Sequence, residues 1–205
     1  MNKKKWLNIY NSIIRLKFYA YLESERSNVL NEFDSQFQKF VDDFGINPKN
    51  EKVRFFGGQF LIGLSYLILV RTSEFIKNEL SDTDAEIVLK IDNWKQFKVE
   101  SFSDLVSRYR IKVNTLIDRK NNGKLIYSDD HQKLKFFITK LRNAVSHFNY
   151  ENPDNYTIKL KDINPNSDRL EMECLFNYAD FLNFCMDFGF IVNNCLGELY
   201  DRKQN

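Results

Sequence analysis

The sequence predicts an all-α fold, a bundle of four to five main helices with one small β-hairpin just before the C-terminal helix. Three observations predict it. Apolar residues recur at spacings of three and four along most of the 205-residue chain, the repeat of amphipathic helices. The segment from about Glu51 to Leu80 is apolar nearly all round, as befits a helix enclosed by others. Two-residue alternation occurs in Tyr156 to Cys174, enough for a pair of strands.

With 43% hydrophobic residues the chain can bury a sizeable core, and one domain over 1–205 is expected. Its first part, 1–46, reads as one long helix or a helix pair with a joint near Glu23 to Arg26. Trp6, Ile9, Tyr10, Ile13 and Ile14 start the pattern, and Phe18, Leu22, Val29, Phe33, Phe37, Phe40, Val41 and Phe44 continue it. That spacing suits packing inside the monomer and also a seam against a second subunit. Gly45-Ile46-Asn47-Pro48 ends it.

The bundle core is expected over 51–205. The helix through Leu80 leads into a connection, Ser81 to Glu100, holding a short helix near Asp84 to Lys90 and a WKQFK stretch without clear period. Ser101 or Ser103 caps a helix running through Leu105, Val106, Tyr109, Val113, Leu116 and Ile117, stopped by Asn121-Asn122-Gly123. Ser128 caps the next helix, with Asp129 and Asp130 in its first turn where the dipole favours negative charge. Tyr156, Ile158 and Leu160, then Leu170, Met172 and Cys174, form the strands, turned by Asp162 to Asp168. Asn177 caps a last helix that buries Phe181, Leu182, Cys185, Phe188, Val192, Cys195, Leu196 and Leu199.

Several function classes are excluded. Thirty basic against twenty-eight acidic residues leave a formal charge of +2, so any nucleic-acid site is a local patch and not a global field. Asn8, Asn11, Arg15 and Lys17 interrupt the apolar run a secretory signal needs, which leads to the expectation of a cytoplasmic protein. Phe55 to Val70 falls short of the roughly 20 residues that span a bilayer, so no membrane partner is expected. Three scattered cysteines and two histidines make neither a disulfide framework nor a metal cluster. There is no Walker loop, GxGxxG or GxSxG, and neither cofactor nor metal is expected.

The chemistry concentrates in Lys133 to Tyr150, KLKFFITKLRNAVSHFNY. Leu134, Phe137, Ile138, Leu141 and Val145 form a buried stripe, with a polar cluster beside it. Asn143 and His147 share a helix face one turn apart, as do Arg142 and Ser146. Arginine offers a planar donor fork that matches a phosphate, and histidine both gives and takes protons near neutrality. Together they suit metal-free RNA cleavage. His131 lies about 16 Å away along the same helix, too far to join them within one subunit.

Arg142-Asn143-x-x-x-His147 resembles the R-polar-x3-H signature of HEPN domains, the all-helical higher-eukaryote-and-prokaryote nucleotide-binding superfamily. The stretch DNYTIKLKDINPNSDRLEMECLF and the helix after it look like a plasmid-type prokaryotic HEPN ribonuclease subfamily. The resemblance is clear over roughly Ser128 to Leu199, and over the first half it lies in helical character. It implies a metal-independent endoribonuclease acting as a toxin or defence effector. In such a homodimer Arg142 steadies the phosphate, His147 moves protons, and Asn143 and Ser146 position the substrate.

The resemblance also makes Glu74 an auxiliary candidate, since HEPN domains often bring an acidic residue from an early helix to the motif. Tyr150 is a second one, although it stands one residue beyond the place where some HEPN toxins carry a modifiable tyrosine. Arg108, Arg110 and Lys112, within the densest basic run, and Lys140 on the motif helix are candidate RNA contacts, with Tyr109 offering a ring to stack on. RNA, a second copy and a cognate antitoxin protein are the expected partners. The alternative is a non-catalytic dimeric scaffold that binds nucleotides, RNA or protein.

Overall fold

The computed structural model describes residues 11, 14–15, 17–18, 21, 28–43, 45, 58–117, 129–154 and 156–202. The expectations for Trp6 to Tyr10, the joint near Glu23 to Arg26, Ile46 to Pro48, Asn121 to Gly123 and the Ser128 cap lie outside them. The fold is mostly helical, as expected.

Helix α1 (Asn28–Asp43) is amphipathic: Val41 is buried, while Phe33 and Phe40 stay largely exposed. Gly45 follows it at φ +63, a left-handed turn that glycine adopts without steric cost. Next come α2 (Gly58–Ser65), one π-helical turn (Tyr66–Val70) and α3 (Arg71–Glu79) in unbroken succession. Ile62, Ile68 and Leu69 are fully enclosed, so this is the central helix its all-round apolar sequence predicts.

Ser81 caps α4 (Asp82–Val88), its hydroxyl accepting from the Asp84 N–H at 3.2 Å. The WKQFK stretch, periodless by sequence, is a 3-10 helix (Ile91–Phe97) that turns Trp94 into the core. Its indole lies parallel to Phe184 with ring centroids 5.6 Å apart. A 3-10 turn repeats every three residues, which explains why neither the helical nor the strand period registered it. Ser101 and Asp104 form a capping box at the start of α5 (Phe102–Arg108).

The helix expected to reach Ile117 stops at Arg108. Arg110 at φ +46 reverses the chain, with the Arg110 N–H bonded to the Ser107 carbonyl and the Ile111 N–H to that of Val106, a Schellman ending without glycine. Lys112–Leu116 is instead strand β1. Val113, Thr115 and Ile117 suit a pleated surface as well as a helix, and a partner strand far away in sequence settles the choice.

That partner makes the hairpin into a sheet. Strands β2 (Tyr150–Glu151), β3 (Thr157–Asn164) and β4 (Arg169–Asn177) join β1 in the order β1-β4-β3-β2, every pairing antiparallel. The turn expected at Asp162 to Asp168 is shorter, because β3 continues to Asn164. Helix α6 (Asp130–Ser146), which carries the motif, packs between the π turn and β3. It is capped by Asp129, whose carboxylate accepts from the His131 N–H at 2.9 Å, one residue later than expected. Helix α7 (Tyr178–Arg202) closes the chain, with Asn177 Oδ1 accepting from the Ala179 N–H at 3.0 Å as its cap. Among the described residues no helix is long and apolar enough to cross a membrane.

Candidate active site

The buried stripe of α6, Leu134, Phe137, Ile138, Leu141, Ala144 and Val145, fixes the helix against the core and so fixes what its last turns present. The helix ends at His147 in a second Schellman motif. The Phe148 N–H bonds to the Val145 carbonyl at 3.2 Å and the Asn149 N–H to that of Ala144 at 2.9 Å. The left-handed residue, where glycine is usual, is Phe148 at φ +54. Phe148 is 62% exposed, and its ring lies parallel to that of Tyr66, with an 8° interplanar angle and centroids 6.5 Å apart.

Two turns earlier, α6 is bolted to the sheet. Lys140 Nζ is 2.8 Å from Asp162 Oδ2 and also hydrogen-bonded to Glu171. All three residues are buried. Asn164 Nδ2 donates to Glu171 Oε1 at 2.9 Å, and Asn143 Nδ2 makes a long contact of 3.5 Å with Asp162 Oδ2. Glu171 reaches this cluster because of a bulge: Asp162 pairs with Met172 and Ile163 with Leu170, which leaves Glu171 over and turns it inward. Strict alternation would have sent it to solvent. Burial by itself pulls the Lys140 ammonium down, but the hydrogen bonds from Asp162 and Glu171 outweigh it and raise its pKa.

Of the four polar residues of the motif, two have protein partners. The Ser146 hydroxyl donates to the Asn143 carbonyl at 3.0 Å, and Asn143 faces Asp162. Both therefore brace the helix end. Arg142 and His147 are different. His147 is exposed and Arg142 half-buried, and among the described residues neither side chain has a hydrogen-bond or ion-pair partner. Arg142 Nε is withdrawn from solvent with no acceptor among the described residues, a costly state for a cationic donor. Among the described residues no group of three or more His, Cys, Asp or Glu is arranged to hold a metal ion.

A family model described as HEPN pEK499 p136 matches residues 2–195. The chain belongs to this HEPN family. No curated protein and no solved structure matches it. The HEPN match runs through the first half as well, where by sequence alone only helical character was visible.

Other residues singled out around the HEPN motif are placed as follows. Arg110 holds the nearly buried Asp180 with two bonds, Nε to Oδ2 at 2.9 Å and Nη2 to Oδ1 at 2.7 Å. Arg108 lies 3.8 Å from Asp187. Lys140 is committed to its two carboxylates. Arg108, Arg110 and Lys140, candidate RNA contacts by sequence, thus each stand against an acidic partner distant in sequence. Lys112 is exposed on β1.

Tyr109 offers no ring to a ligand, for it is 2% exposed and donates its hydroxyl to Asp187 at 2.7 Å. Burial, then that bond, drives its phenol far above the usual range. Glu74 pairs along its own helix with Arg71 at 3.3 Å. Tyr150 is tied into β2 opposite Leu160. Cys174 and Cys185 are buried free thiols raised far above the ordinary value by burial, and Cys195 is pushed up to about 11, first by burial and then by Glu198.

The sequence carried one sign of the unusual ending of the HEPN helix: neither glycine nor asparagine stands at position 148, where a helix has to stop. Tyr66 had no sign, since a π turn leaves no periodic trace in five residues.

Proposed function

We propose that this HEPN protein is a metal-independent endoribonuclease, working as a homodimer in a toxin or defence role in the cytoplasm. The observation that carries the reading is Arg142: a half-buried guanidinium whose Nε has no acceptor, on the same helix end as an exposed histidine. A phosphodiester is the kind of acceptor that a guanidinium fork matches. In the reaction His147 takes the ribose 2′-hydroxyl proton, the 2′-oxygen attacks phosphorus, and the bond from phosphorus to the 5′-oxygen breaks. The leaving oxygen takes its proton from the partner subunit's His147, because a single imidazole cannot be base and acid in the same step. Arg142 balances the charge of the phosphorane. Asn143 and Ser146 hold the helix end, and so the two working groups, in place.

The test is an RNA cleavage assay in EDTA. Wild-type protein should give 2′,3′-cyclic phosphate and 5′-hydroxyl ends, and His147→Ala should be inert. Magnesium-dependent 5′-phosphate ends would overturn the mechanism. Inert wild-type protein that still binds RNA or a partner protein as a dimer would make the domain a scaffold.

A further inference from the structure

Two departures from regular backbone meet in one pair of rings. Phe148 occupies the left-handed C′ position of the motif helix at φ +54, where glycine costs nothing and a bulky side chain is strained. Burial does not account for it, since Phe148 is 62% exposed. Its neighbour Tyr66 opens the π turn, where the Arg71 N–H bonds to the Tyr66 carbonyl, and π turns frequently mark functional sites. The rings are within 8° of parallel, and Phe148 directly follows His147.

We propose that Tyr66 and Phe148 form a stacking platform for an unpaired base of the RNA substrate, beside the phosphate that Arg142 and His147 engage. The inference rests on the ribonuclease reading and adds what that reading lacks, a contact to the base. Aromatic faces hold bases of any identity by stacking, and only single-stranded segments can splay a base out to reach them. The platform therefore selects unpaired RNA over duplex and is tolerant of sequence.

The experiment uses full-length His147→Ala protein, so that RNA stays intact, and measures binding of a short single-stranded oligoribonucleotide and of the same oligomer with abasic positions. The base-bearing oligomer should bind about tenfold more tightly, and Phe148→Gly or Tyr66→Leu, each added to His147→Ala, should erase that difference while abasic binding stays unchanged. Equal binding of the two oligomers before the ring is removed, or a preference that survives both substitutions, would overturn the platform and leave the ribonuclease reading intact. Base-dependent binding by a protein whose wild-type form cleaves nothing would keep the platform and remove the ribonuclease. Loss of dimer in Phe148→Gly, seen by size exclusion with base preference retained, would make the rings a subunit contact instead.

Discussion

Lys140 Nζ stands 2.8 Å from Asp162 Oδ2 and ties the motif helix to the second of the hairpin strands' buried carboxylates, Glu171, at the same time. One ammonium is shared between two acids in a largely buried site, so the cluster stabilises only as a whole.

Lys140→Met leaves two buried carboxylates facing each other and should cost about 3 kcal/mol. Adding Asp162→Asn and Glu171→Gln should restore most of it, which urea unfolding would reveal. A raised lysine contributes stability that is complete below its unfolded value of 10.5 and is lost only as pH rises through the higher folded one. The stability difference between wild type and the triple variant, which has no titrating group left in the cluster, should therefore be constant between pH 6 and 9; a difference that faded within that interval would contradict the assignment.

Arg142→Met removes a withdrawn donor that has no acceptor. It should raise stability by about 1 kcal/mol and lower the cleavage rate by a factor of roughly 100 to 1000, as for the loss of one transition-state donor. A variant that loses both stability and activity would point to a structural arginine.

Asp187 is raised by burial first, against the hydroxyl of Tyr109 and the charge of Arg108, which lower it. A carboxyl raised in the folded state stabilises while it is protonated and loses that contribution as pH rises through its folded pKa. Asp187→Asn, which can still accept from Tyr109, should thus be more stable than wild type at neutral pH. Its advantage should shrink as pH falls toward the ordinary carboxylate value of 3.8. Thermal melts at pH 4 and pH 7 give the comparison.

Position 148 should reverse the usual order of helix substitutions. Inside a helix alanine beats glycine by roughly 0.5–1 kcal/mol; at a left-handed C′ residue glycine should beat alanine by about 1 kcal/mol. Melting Phe148→Gly beside Phe148→Ala checks this directly, and an alanine variant as stable as the glycine one would show that the residue leaves the left-handed region.

The legible parts of this protein are those written in nearby residues. The apolar stripe of α6, the caps Ser101 and Asn177 and the enclosed central helix all follow from periodicity and terminal chemistry acting over a turn or two. Arg142 and His147 could be singled out for the same reason, being five positions apart on one helix. What lay out of reach were features set by partners far along the chain. β1 is a strand because β4 receives it, and Glu171 is buried because a bulge turns it toward Lys140. Arg108 and Arg110 are paired with Asp187 and Asp180 across some seventy to eighty residues. A side chain's partner depends on three-dimensional proximity, and no local period encodes it. The sequence by itself determined which groups could do chemistry and on which helix they stand. Tertiary structure decided which of them remain uncommitted, because only packing assigns a counter-charge to one arginine and leaves another without.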